Sequence, residues 1–144
     1  MAILKKTEEL KNELGSLIWR MATNLVHGGK VSPVQFMDYT LGALFYRFIS
    51  ENITDYCNQL MADAGVQNPD YANMNDATAE NARDQIINAK GFFILPSQLF
   101  INVANGASQN TELNTTLANN FKAIEQSAIG KPSENDVKGL FSNF

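Results

Sequence analysis

Residues that do chemistry are scarce in this 144-residue chain. Its single cysteine, Cys57, excludes an internal disulfide and fits a reducing compartment. Its single histidine, His27, has no cysteine, histidine or carboxylate at metal-ligand spacing, and its place near a helix C-terminus suits a cation stabilised by the helix dipole. Nucleophile triads, metal-ligand clusters and phosphate-cradling glycine loops are missing from the pattern. No apolar run approaches the roughly twenty residues that span a bilayer, because Arg47 breaks the longest one. The opening Met1-Ala2-Ile3-Leu4-Lys5-Lys6 runs into charged sequence and carries no secretory signal. Basic excess is missing too. Eleven Lys and Arg stand against fifteen Asp and Glu, a net charge of -4, with Lys5, Lys6 and Lys11 the one local concentration. A domain that binds by releasing phosphate counterions shows a basic stripe, so broad DNA gripping is disfavoured. These absences predict a soluble, cytoplasmic chain that does no chemistry alone.

What the chain has is helical patterning. With 44% hydrophobic and 18% charged residues it is ordinary globular material, long enough for one domain and too short for two comfortable ones. Leu10, Leu14, Leu17, Ile18, Met21 and Leu25 recur at spacings of three and four, which predicts a helix over residues 7–26, closed at Gly28-Gly29. Ser32, Pro33 and Gln35 form a capping-box start for a second helix that runs to about residue 61. Its Leu41–Asn52 stretch is greasy on every face up to Ile49, which marks it as the buried centre of a bundle, with Phe45 and Phe48 as core residues. Turn formers fill 63–76, and a weakly amphipathic helix is expected over 77–90, stopped by Gly91. Phe92-Phe93-Ile94-Leu95 reads as a short strand or extended buried segment, since Pro96 pushes Leu95 out of helical conformation. A short helix follows to about Gly106, then one over 110–129 on Leu113, Leu117, Phe121 and Ile124. A last helix, capped by Ser133, puts Val137, Leu140, Phe141 and Phe144 on one face. The fold class is all-α: a single bundle of about six helices.

Three features invite functional readings. Asn68-Pro69-Asp70-Tyr71 is close to the Asn/Asp-Pro-Pro-Tyr/Phe turn with which amino-methylating DNA methyltransferases hold a flipped base, but its second proline is Asp70 and no cofactor-binding glycine turn precedes it. A surface turn is the better reading. Cys57, beside Tyr56 and Leu60, reads as a buried structural thiol. Arg47 interrupts the greasiest helix and must have a partner there, either Glu51 one turn on or a carboxylate of a neighbouring helix; a subunit or a DNA phosphate is the functional alternative.

Four segments in order carry a resemblance: Leu17-Ile18-Trp19-Arg20-Met21-Ala22; the run from Phe36-Met37-Asp38 through Leu44-Phe45-Tyr46-Arg47 to Glu51-Asn52; Lys90-Gly91-Phe92-Phe93-Ile94-Leu95-Pro96-Ser97-Gln98-Leu99-Phe100; and Phe121-Lys122-Ala123-Ile124-Glu125 leading to Pro132-Ser133-Glu134 and Lys138-Gly139-Leu140-Phe141. Together they resemble the N-terminal domain of the DNA-methyltransferase (modification) subunit of type I restriction–modification systems, over nearly the whole chain. The resemblance implies that residues 1–144 form a helical assembly and DNA-clamp domain. A larger domain that binds S-adenosylmethionine and methylates adenine would lie outside this chain, so no catalytic, cofactor or metal residue carries over. The implied partners are a specificity subunit, a second modification subunit, restriction subunits in the larger complex, and double-stranded DNA through that complex. Arg20, Arg47, Lys90, Leu140 and Phe141 are the residues expected at partner or DNA contacts, with the last helix leading into the larger domain. Two other classes stay open: a stand-alone helical interaction or regulatory module with no link to methylation, and a small helix-turn-helix regulator. The latter would gather several Lys and Arg on one short helix, and none does.

Overall fold

The computed structural model describes residues 33–140, together with Asn12. The helix expected over 7–26, His27, Arg20, Phe141 and Phe144 lie outside the described residues. Six α-helices follow one another: α1 (Pro33–Asp63), α2 (Asp76–Glu80), α3 (Arg83–Lys90), α4 (Phe100–Gly106), α5 (Leu113–Ser127) and α6 (Glu134–Leu140). Single 3-10 turns at Tyr71–Asn73, Pro96–Gln98 and Ala107–Gln109 punctuate the loops, and the described residues contain no strand. The architecture is the all-α bundle that the periodicity predicts.

The first described helix is the spine. Ala43, Tyr46, Ile49, Ile53 and Cys57, spaced by three and four, line its buried face against α3, α4 and the Tyr71 turn. Its opposite face departs from the expectation. Leu41, Leu44, Phe45 and Phe48 are 51%, 43%, 42% and 65% exposed. Phe45 and Phe48 therefore do not belong to the core formed by the described residues. The apolar block fills two opposite faces of one helix, and the described elements pack on one of them. Tyr46, wholly buried, is the node of the inner face: its ring meets Phe100 edge-on at 5.6 Å and Phe121 at 5.0 Å. Its hydroxyl donates to the Gln98 carbonyl, so one side chain ties α1 to α4, α5 and the Pro96 turn.

Irregular segments are held by side chains reaching backbone groups. The Tyr71 amide donates to Asn58 Oδ1 at 2.8 Å, and the Tyr71 hydroxyl donates to the Ile94 carbonyl at 2.6 Å. Tyr71 is thus a core anchor; the Asn68–Tyr71 motif is a turn, with Asn68 at φ 52°, whose last residue plugs the bundle. Phe92, Phe93 and Ile94 are buried in irregular backbone that turns extended at Leu95, and the Phe93 amide donates to Ser127 Oγ at 2.9 Å. The helix expected over 77–90 is two helices. Asn81 and Ala82 donate to the Thr78 and Ala79 carbonyls three residues back, a tightening that ends α2, while Asn75 Oδ1 caps its start by accepting from the Ala77 amide. The third helix ends at Gly91, whose φ of +88° belongs to the left-handed region and whose carbonyl accepts from Ser133 Oγ at 2.6 Å.

Candidate interaction site

Along the side of α1, between its buried and outer faces, opens a cleft of about 340 Å³ with mixed polar and apolar lining. Arg47, Ser50, Glu51, Thr54 and Asp55, one helical ridge at spacings of three and four, form its first wall; Asn73, Asn102 and Asn105 face them, with Leu99 and Ile101 adding apolar lining. Each wall is fixed from behind. The Ser50 hydroxyl accepts the Phe100 amide at 3.1 Å, locking the start of α4 to α1. Asn102 donates both amide hydrogens, to the Ala72 carbonyl at 2.8 Å and the Pro96 carbonyl at 2.7 Å, joining the Tyr71 turn to the Pro96 turn. Arg47 is 8% exposed, bonded to Glu51 at 2.8 Å, with its guanidinium carbon 5.3 Å from the centre of the Phe100 ring. The sequence reading of Arg47 as paired with Glu51 one turn on matches this geometry.

A second cavity, about 300 Å³ and mainly apolar, lies farther along the buried face of α1, lined among others by Cys57, Met61, Tyr71, Met74 and Ile86. Burial pushes the Cys57 thiol up to about 11, so it stays protonated at neutral pH and is a packing residue there. Burial likewise raises the Tyr46 and Tyr71 hydroxyls above the ordinary phenol range, which keeps both as hydrogen-bond donors. At the surface, the hydrogen bond between Glu80 and Arg83 holds the Glu80 carboxyl below its usual range, and the Arg83 guanidinium carbon stacks 4.5 Å from the Phe93 ring centre. Among the described residues no group of three His, Cys, Asp or Glu could hold a metal ion, and no helix is long and apolar enough to cross a membrane. The cleft sets carboxylate and amide groups beside apolar lining, with its one arginine already paired to Glu51.

The predicted contact residues do not converge. Lys90, at the end of α3, places its ammonium 5.3 Å from the centre of the Tyr56 ring. Tyr56 follows Arg47 by nine residues, half a rotation round an ideal helix, so Arg47 and Lys90 sit on opposite sides of α1. Leu140 is the last residue of α6; Arg20 and Phe141 fall outside the described residues. Sequence reasoning missed Asp55, Asn73, Asn102 and Asn105. Asparagine signals turns in a sequence, and nothing in local spacing shows that residues thirty apart share a cleft.

A model of the HsdM N-terminal domain family matches residues 14–144. The chain belongs to that family. Every described residue from 33 to 140 lies inside the matched span, so the cleft and the outer face of α1 are features of this HsdM N-terminal domain itself. The chain is 40% identical over 149 aligned positions to the type I restriction enzyme MpnII methylase subunit of Mycoplasma pneumoniae. That alignment takes in 97% of the present HsdM N-terminal domain but 26% of the relative, so the chain spans about a quarter of that protein's length. No solved structure matches significantly.

Proposed function

We propose that this HsdM N-terminal domain is the helical assembly element of a type I restriction–modification adenine methyltransferase, contacting the specificity subunit and a second modification subunit, with at most local contact to the DNA backbone. In this reading the complex works in the cytoplasm. S-adenosylmethionine and the methyl transfer belong to a larger domain of the parent polypeptide.

The observation that carries the reading is the fate of the basic residues. Of the six Lys and Arg among the described residues, four meet a neighbour: Arg47 is bonded to Glu51, Arg83 to Glu80, Lys131 to Asn88, and Lys90 lies over Tyr56, while Lys122 and Lys138 are exposed on two other helices. With these cations spread over separate elements and a net charge of -4, the domain is better built to meet protein than to neutralise a run of phosphates. The test is to mix the chain with a type I specificity subunit from the same organism and, separately, with a DNA duplex, at low and moderate salt. Co-sedimentation with the subunit that survives moderate salt is expected, together with no saturable duplex binding by the chain alone. Tight, steeply salt-dependent duplex binding without any protein complex would overturn the proposal. Calorimetric titration of the chain with S-adenosylmethionine should give no saturable heat; a micromolar one-site isotherm would contradict the assignment of the cofactor to another domain.

A further inference from the structure

The outer face of α1 carries Leu41, Leu44, Phe45 and Phe48 at i, i+3, i+4 and i+7, all more than 40% exposed. Monomeric domains rarely leave a contiguous apolar row of this kind open to water. Asp55, exposed and seven residues beyond Phe48, continues the same line, so the row ends in a negative charge. We propose that this face is the docking site for the chain's own segment 4–25, laid antiparallel along α1, with Lys6 closing against the Asp55 end.

Three independent features of the sequence select this occupant. The segment has an apolar stripe of matching period, Leu10, Leu14, Leu17, Ile18, Met21 and Leu25. At about 100° per residue, Lys6 and Lys11 border that stripe, with Glu13 next to Lys6, while Glu8 and Glu9 fall well away from it, so Lys6 is the charge this edge carries at the Asp55 end. The connection, His27 to Ser32 with Gly28-Gly29 inside it, is short enough to make helical neighbours antiparallel. Counting outward from that turn gives a definite register. Ile18 falls beside Leu41, Leu14 beside Phe45, Leu10 beside Phe48, and Lys6 within one turn of Asp55. Shape, charge and chain connection agree on one alignment, which a second copy or a foreign helix is under no constraint to match.

The test uses the full chain carrying Leu14→Cys with Phe45→Cys, against Leu14→Cys with Gln59→Cys as the out-of-register control, under mild oxidation. Expected is a disulfide-linked monomer for the first pair and none for the second, located by peptide mapping. A first pair that links only between molecules would assign the face to another copy and overturn the proposal; so would no link in a variant whose circular dichroism matches wild type. If the cysteine variants fail to fold, amide exchange on the unmodified sequence decides instead. Residues 10–25 should be protected in the wild type and lose most of that protection when Phe48→Ser removes one contact from the face, while α5 keeps its protection. Protection of 10–25 that is absent in the wild type, or indifferent to Phe48→Ser, would refute the docking.

Discussion

Tyr46 offers the sharpest quantitative test of the core, because its ring and its hydroxyl do separable things. Tyr46→Phe keeps both edge-on ring contacts, with Phe100 and Phe121, and removes the hydroxyl that donates to the Gln98 carbonyl and meets the Asn120 side chain. Gln98 is partly exposed, so water can serve its carbonyl in part, and the cost should be about 1–2 kcal/mol. Tyr46→Ala deletes the ring from a fully buried site and leaves a cavity between α1, α4 and α5. Large aromatic truncations of this kind cost about 3–5 kcal/mol, and the two lost aromatic pairs place Tyr46 at the upper end. For a domain of this size 1 kcal/mol moves the melting temperature by roughly 3–5 °C. Calorimetric melting should therefore show a fall of roughly 3–10 °C for Tyr46→Phe and about 12–25 °C for Tyr46→Ala. If the two variants melted together, the hydroxyl and not the ring would be the anchor. If the alanine variant melted within about 3 °C of wild type, Tyr46 would not be the node of the core.

Three further outcomes are expected. Gly91→Ala should destabilise by about 1–3 kcal/mol in chemical denaturation, since its φ is +88° and a Cβ would collide with Ser133 Oγ; adding Ser133→Ala should relieve only the Oγ contact, leaving the backbone strain and a 2.8 Å approach to Ser133 Cβ. Arg47→Met and Glu51→Gln should each cost about 1–2 kcal/mol, and the double variant less than their sum, because the two share one bond at 2.8 Å; strict additivity in the double-mutant cycle would disprove the coupling. The Cys57 thiol is raised in the folded state from its ordinary value of 9.0 to about 11, so the neutral form is what the fold favours. Its contribution is complete below pH 9 and is lost as pH rises toward 11; unfolding free energy measured across that window should fall less steeply in Cys57→Ala.

Much of the helical framework is legible in the sequence because amphipathic period is a local property. The row Leu113, Leu117, Phe121 and Ile124 is buried as its spacing foretells, and Pro33 starts α1 where the capping pattern puts it. The failures share one physical cause: tertiary partners choose among options that the sequence leaves equal. Nothing in the Leu41–Ile49 block says which of its two apolar faces meets α4, so Phe48 looks as buried as Tyr46 until the packing is known. Tyr71 sits among turn formers, and its burial depends on Asn58 and Ile94, thirteen and twenty-three residues away. Within the candidate site, Arg47 and Glu51 are readable as an i, i+4 pair, whereas the facing Asn73 and Asn102 enter only through the turns that carry them.

The irregular stretch Phe92–Leu95 bears on how this protein fails as well as how it folds. Phe-Phe-Ile-Leu is an uncharged, β-prone tetrapeptide of the kind that templates intermolecular sheets when its backbone is bare. Here the Phe93 amide is occupied by Ser127 and the Ile94 carbonyl by Tyr71, so the native fold leaves those two groups no vacancy for an incoming strand. The two guards come from separate parts of the sequence, one from the last turn of α5 and one from the turn after α1. Loosening of either contact would unmask a main-chain group beside phenylalanines that the native fold buries. Ser127 and Tyr71 thus act as gatekeepers against aggregation, and their loss should show first as turbidity during refolding or prolonged storage, before any large change in the melting curve.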